Sequence, residues 1–218
     1  MLGQMKANPG DTSAFSNFSL DMTYFECNGV SYIAWAQIKT NSSIFIATID
    51  PKDPQQLTSD AVLLSAPDFA WEWEGSTLVN EGPAVIRNNG KIYLCFSAAA
   101  VDKSYCIGML SADVTDDLTD NSVWIKNTYP LLCTEDLLDQ YGPGHNSFTT
   151  DEYDNPILVY HARPEECAEG KCEYSSYSDL NDPCRHARVK QIFFDSEGAP
   201  VLNLSEEEVL SSKFRTVT

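Results

Sequence analysis

Apolar residues run along this chain in short alternating stretches broken by turn-forming pairs, and very few stretches carry a helical period; the pattern predicts an all-β fold. The hairpins are the clearest signals. Residues 23–27 lead into Asn28-Gly29 and return through 31–36, and residues 84–87 lead into Asn89-Gly90 and return through 91–97. Asn-Gly favours a tight hairpin because both residues tolerate positive φ. A third hairpin joins 147–150 to 156–162 around Asp154-Asn155.

These turns recur 61 and then 65 residues apart. Each hairpin is followed by a third strand candidate, at 44–49, 105–110 and 189–194, and by a shorter fourth at 62–64, 131–132 and 201–203. Sheets of about four strands at a near-constant interval predict the blades of a β-propeller, whereas a β-sandwich has no need of the repeat. The units fall at about 19–67, 79–133 and 143–205, and residues 163–184 form an insertion in the third, read as a surface segment over one rim of the pocket.

A polar residue stands just before each hairpin: Asp21 seven residues ahead of its turn, Glu81 eight and His145 nine. If the blades superpose, all three begin an innermost strand and face the central channel. Two carboxylates whose surroundings separate their pKa values can protonate a leaving group and activate water. Glu81 lies in the tight Asn80-Glu81-Gly82-Pro83 segment, shortly after Phe69, Trp71 and Trp73. Apolar walls would raise its pKa and hold it protonated as a general acid. Trp71 and Trp73 are candidates to cover a sugar face, and core packing accounts for either equally well.

At these residues the chain resembles the family 43 glycoside hydrolases. The matching segments are 19–23 with 32–35, then Asn80-Glu81-Gly82-Pro83-Ala84 with 93–97, then Gly142-Pro143-Gly144-His145-Asn146-Ser147-Phe148 with 159–162, and last Arg185-His186-Ala187-Arg188-Val189. The resemblance is closest to α-L-arabinofuranosidase members, with β-xylosidase and endo-arabinanase left open. It implies a five-bladed β-propeller, of which about three blades are present, and an inverting acid/base glycosidase of plant polysaccharide or oligosaccharide. By the same resemblance Glu81 is the general acid and Asp21 the carboxylate that tunes it. His145 is then the axial histidine beside a structural calcium or water cluster in the channel, and Arg185 reaches the sugar. The resemblance implies no required cofactor, and the partner it implies is an arabinose- or xylose-containing oligosaccharide.

Inverting enzymes also need a carboxylate as general base. The resemblance places it on a first blade, for which residues 1–18 are too few, and Asp11 is a candidate by residue type only. The expectation is therefore a truncated chain, or a ring completed by an oligomer or a second polypeptide.

Composition narrows the partners. Fourteen Lys and Arg against 32 Asp and Glu give a net charge of −18, which repels nucleic acid and anionic membranes and suits a neutral ligand. No apolar run of signal-peptide or membrane-spanning length is visible. Seven cysteines, an odd number, fit free thiols and favour the cytoplasm, or secretion if the N-terminus is truncated. Cys167, Cys172 and Cys184 are poorly spaced for a metal and lack a fourth ligand. Two other functions fit the sequence, a non-catalytic carbohydrate-binding propeller fragment and a partner-binding propeller of unrelated origin.

Overall fold

The computed structural model describes residues 3–174 and 179–210. Its first sheet is built from β1 (Ser19–Cys27), β2 (Val30–Ile38) and β3 (Ser42–Asp50), with β4 (Asp53–Leu57) and β5 (Val62–Ser65) both paired to β3. The second runs in order through β6 (Asn80–Asn88), β7 (Lys91–Ala98), β8 (Cys106–Asp113) and β9 (Ile125–Lys126). The third comprises β10 (Gln140–Thr150), β11 (Pro156–Pro164) and β12 (His186–Gln191). All pairings within these sheets are antiparallel. At the hairpin turns Asn28, Asn89 and Asp154 have φ of 48°, 48° and 62°, the left-handed backbone that Asn and Asp adopt most readily after glycine.

The fourth strands differ from the sequence expectation. In the second sheet the position belongs to Ile125–Lys126, while Leu132 makes only an isolated bridge to Ile107. In the third, β13 (Phe193–Phe194) leaves β12 to pair with β14 (Pro200–Val201) as a separate two-stranded piece. These strands are only two residues long, and so short a run has no alternation from which to read its edges.

The side-chain alternation of the middle strands builds the core between sheets. Tyr32, Ala34 and Ala36 of β2 pack with Ile92, Leu94 and Phe96 of β7. The opposite face of β7, through Tyr93 and Cys95, packs with Leu158, Tyr160 and Ala162 of β11. Ile33 and Trp35, on the other face of β2, are covered by Ala14 with Met5, Ala7 and Phe15. The period of two that marks a strand with both faces buried thus becomes one sheet contributing to two neighbouring cores.

Each first strand carries a β-bulge at the same place. Leu20 pairs with Ala36 and Thr23 with Ala34, so Asp21 and Met22 together oppose Trp35. Likewise Gly82 and Pro83 oppose Phe96, and His145 and Asn146 oppose Tyr160. The first residue of each bulge has positive φ: 55° at Asp21, 57° at Gly82 and 50° at His145. The shared phase read from the sequence is corrected by this register. Asp21 and His145 are equivalent, but their counterpart in the second sheet is Gly82, and Glu81 lies one residue earlier. The counts of seven and eight residues back from Asn28 and Asn89 already differ by this one residue, and the register shows that Gly82 is the counterpart of Asp21.

The insertion begins later than the sequence suggests, since β11 extends to Pro164. The four-residue helix α1 (Glu165–Ala168) follows, and a Cys167–Cys184 disulfide closes the segment, so these two cysteines are not free thiols. The Arg163 guanidinium is buried beneath it, donating from Nε to Asp182 at 2.6 Å and from Nη2 to the Val101 carbonyl at 2.9 Å. Among the described residues no helix is long and apolar enough to cross a membrane.

Candidate active site

The first strands of the three sheets lie side by side, with β6 between β1 and β10. Their bulges bring Asp21, Glu81 and His145 to one rim. The Gly82 N–H donates to Asp21 Oδ2 at 3.1 Å, which joins the first sheet to the second at the bulge itself. Asp21 Oδ1 lies 3.9 Å from His145 Nε2. A Cβ on Gly82 would stand 3.3 Å from His145 Nδ1, so both the positive φ and the close approach of the imidazole call for glycine after Glu81.

Glu81 opposes Ser97 across the sheet and turns into the protein. Its Oε1 accepts a hydrogen bond from the Tyr105 hydroxyl at 2.6 Å. Burial pushes its pKa above the ordinary glutamate value and the Asp21 charge adds to the rise, while the Tyr105 bond and the charges of His145 and Arg185 act in the opposite direction. Tyr105 is itself almost wholly buried, and a Cβ on Gly144 would lie 2.1 Å from its Cε1. The glycine between Pro143 and His145 is therefore the space in which the tyrosine ring sits.

His161, for which the sequence suggests no role, completes the inner wall. Its ring stacks on Tyr105 with centroids 5.6 Å apart and an interplanar angle of 5°, and on His145 at 6.4 Å. Arg185 Nη1 is 3.4 Å from His161 Nε2. Burial, reinforced by the Arg185 charge, lowers the His161 pKa to about 4, so the ring is neutral at ordinary pH and accepts from the guanidinium. Arg185, placed at the sugar by the resemblance, thus reaches the wall of the site through His161 and adds positive potential near Glu81. Tyr105 and His161 escape sequence reasoning because one stands just ahead of β8 and the other inside β11, and nothing local ties either to a glutamate many positions away.

The loop before Glu81 is fastened by a buried charge. Glu72 has no exposed surface; its Oε2 accepts from the N–H groups of Asp68 and Phe69, both at 2.9 Å, and its Oε1 from Asn80 Nδ2 at 2.8 Å. Lys126 Nζ lies 2.7 Å from Glu72 Oε1, and Ser65 Oγ donates to Asn80 Oδ1 at 2.6 Å. The residue immediately before Glu81 is therefore held on both sides of its amide. Trp71 belongs to this scaffold: its indole N–H donates to the Thr128 carbonyl at 2.9 Å and its ring stacks on Phe69. Trp73 is 57% exposed, and neither tryptophan makes a hydrogen bond or ring contact with Glu81, Asp21 or His145 among the described residues.

Asp11 is committed to structure. Its Oδ1 accepts from the N–H and hydroxyl of Ser13, both at 2.7 Å, and its Oδ2 from the Ala61 N–H at 2.9 Å. Burial alone would raise its pKa, and these bonds hold it below the usual aspartate value. The donors around His145 do not fit a calcium ion held directly by the protein, since calcium takes six to eight oxygens and Asp21 is the one carboxylate paired with this imidazole. Among the described residues, the one group of three His, Cys, Asp or Glu side chains close enough to share an ion is Cys167, Cys172 and Cys184, in the insertion; two of these form the disulfide, and the Cys172 sulfur lies 3.6 Å from that of Cys184.

Consecutively packed antiparallel sheets whose first strands bring carboxylates and a histidine to a common rim define a β-propeller with its candidate site at the inner strands. The chain belongs to the glycosyl hydrolases of family 43, which it matches over residues 5–200. It is 42% identical over 190 residues to an extracellular exo-α-(1→5)-L-arabinofuranosidase of Streptomyces avermitilis, a match covering 85% of this chain and 37% of that one. It is 40% identical over 192 residues to α-L-arabinofuranosidase 43 of Humicola insolens, covering 85% and 38% respectively. The crystal structure of an α-L-arabinofuranosidase from Lactobacillus brevis superposes with a TM-score of 0.78 at 36% identity, covering 91% of this chain and 58% of that one. The chain thus spans less than two fifths of the length of these two curated relatives.

Proposed function

We propose that this chain carries the acid-bearing side of an inverting glycoside hydrolase that removes terminal α-L-arabinofuranosyl residues from plant oligosaccharide or polysaccharide. One observation supports this reading above the others: Glu81 is sunk against Tyr105 with a raised pKa, at a rim it shares with a second carboxylate, Asp21. A carboxyl so placed keeps its proton to higher pH than an ordinary glutamate and delivers it to the leaving oxygen as the glycosidic bond breaks. Asp21 then orients the sugar and its charge raises the affinity of Glu81 for the proton. Asp11 is not, on this reading, the carboxylate that activates water, because Ser13 and Ala61 already occupy its two oxygens. The arabinofuranosidase names of the relatives favour arabinose over xylose.

The test is initial-rate hydrolysis of 4-nitrophenyl and methyl α-L-arabinofuranosides by the full-length protein and its Glu81→Gln variant. Loss of a general acid lowers the rate by about 10²- to 10⁴-fold, with the larger loss on the methyl glycoside, whose leaving group needs the proton most. Sugar binding without hydrolysis in the unaltered protein, and no change on substitution, would instead identify a carbohydrate-binding propeller. We place the action outside the cell, a reading supported by the extracellular Streptomyces relative and by the Cys167–Cys184 disulfide. A peptide map under non-reducing conditions that finds the two cysteines unlinked removes the second support.

A further inference from the structure

We infer that Arg163 is a positioning residue of the acid site, which holds Tyr105 and Arg185 at a fixed spacing on the wall of the Glu81 pocket. This rests on the reading of Glu81 as general acid. His161 and Arg163 stand two residues apart on β11, so their side chains leave the same face of the strand. Both bridge the same two segments. His161 stacks on the Tyr105 ring and lies 3.4 Å from Arg185 Nη1. Arg163 reaches the chain just ahead of each of these partners. Toward Tyr105, Nη2 donates to the Val101 carbonyl at 2.9 Å and Nη1 to that of Asp102 at 3.4 Å, and the same Asp102 carbonyl accepts the Tyr105 N–H at 3.3 Å. Toward Arg185, Nε donates to Asp182 Oδ2 at 2.6 Å. Asp182 Oδ1 accepts the Cys184 N–H at 2.7 Å, and the Asp182 carbonyl accepts the Arg185 N–H at 3.4 Å.

The place is built for a guanidinium. Its planar fork carries donors on three nitrogens and serves a carboxylate on one edge and two carbonyls on the other, whereas a lysine has one nitrogen. The Arg163 side chain is 2% exposed, and a charge so buried is costly unless it is paired and hydrogen-bonded. Gly142 makes the room: its φ is 61°, and a Cβ there would stand 2.2 Å from the Asp102 carbonyl oxygen and 3.3 Å from Arg163 Nη1. An insertion fastened only to its own sheet would need no link to the turn ahead of Tyr105. Because the Tyr105 hydroxyl donates to Glu81 Oε1, slackening that turn loosens the acid without touching it.

Arg163→Lys keeps the charge and removes the fork. In the full-length protein it lowers kcat/KM for methyl α-L-arabinofuranoside about tenfold, the scale of one hydrogen bond to a charged group, with a smaller loss for the 4-nitrophenyl glycoside. In a Tyr105→Phe background the same substitution adds little, because both changes act through one hydroxyl. The Tyr105 bond lowers the Glu81 pKa, so slackening it moves the high-pH limb of the pH profile up. Asp182→Asn keeps an oxygen for the Cys184 N–H and removes the charge facing Arg163; it gives a loss of the same kind and carries the test if Arg163→Lys does not fold. Equal losses on both glycosides, additive with Tyr105→Phe and with an unmoved limb, overturn the inference and leave Arg163 a staple of the insertion. Glu81→Gln, run alongside, separates the two claims. If it spares hydrolysis, the reading of Glu81 as acid is wrong; if it abolishes hydrolysis while Arg163→Lys shows no leaving-group dependence, only the role of Arg163 is wrong.

Discussion

Asp21 lies in the bulge of the first sheet and Glu81 one residue ahead of the equivalent bulge of the second, and the displacement gives them different surroundings. Asp21 is the positive-φ residue of its bulge, so its carboxylate lies along the rim between the Gly82 N–H and the His145 ring. Glu81 precedes the equivalent residue, remains in register opposite Ser97, and is carried inward to Tyr105. Successive residues of a strand face opposite ways, so a shift of one changes the partners that the side chain meets. Two carboxylates of nearly the same intrinsic acidity thereby meet different partners, the Gly82 N–H for Asp21 and the Tyr105 hydroxyl for Glu81.

This contrast can be broken in steps. The largest effect belongs to Glu81→Gln, which removes the sunken carboxyl and lowers the rate on the methyl glycoside by about 10³-fold. Gly144→Ala comes next. Its Cβ would meet the Tyr105 ring at 2.1 Å, so the ring must leave Glu81 or the strand must move, and thermal or urea unfolding should show a loss of about 2–3 kcal/mol. Asp21→Asn is milder, lowering kcat/KM by about tenfold. Because the Asp21 charge raises the Glu81 pKa, its removal shifts the high-pH limb of the profile downward.

The smallest effect is on stability and has the reverse sign to the effect on rate. The Glu81 pKa is higher in the folded protein than in the unfolded chain, so folding loses stability as pH rises from the unfolded value through the folded one. Glutamine carries no such term. Calorimetry of Glu81→Gln should find a melting temperature above that of the unaltered protein at pH 7, with the gain shrinking toward pH 4. A gain that is the same at both pH values would show that Glu81 is not held in a raised-pKa state.

Much of this arrangement was legible in the sequence because it is written in local patterns. The Asn28-Gly29 and Asn89-Gly90 turns fixed two hairpins, and their spacing gave the order of the sheets. Asp21, Glu81 and His145 stood out because they precede those hairpins. The one-residue offset between Asp21 and Glu81 is visible in their distances of seven and eight residues from the turns, but its meaning, a bulge shared by Asp21 and Gly82, appears only in the register. The partners of Glu81 were hidden for a different reason. Tyr105 is one more apolar position just ahead of β8 until the third sheet supplies Gly144 and His161 to surround it. Glu72 looks like one more acid in a strongly acidic chain, and only the approach of Lys126 and Asn80 reveals a fully buried anchor. The odd cysteine count was equally uninformative about Cys167 and Cys184, which meet only because β11 and β12 are neighbours.

The way the middle strands share their faces has a further consequence for how the molecule comes apart. Tyr93 and Cys95 belong to one core while Leu94 and Phe96 belong to the next, so the second sheet has no interior of its own. Stability is then a property of junctions between neighbours, as in a stacked array. Separating the third sheet from the second would open the core between β7 and β11 and leave the one between β2 and β7 intact. Extracting the second would uncover apolar surface on both sides at once, so the sheet that holds Glu81 is also the keystone of the stack.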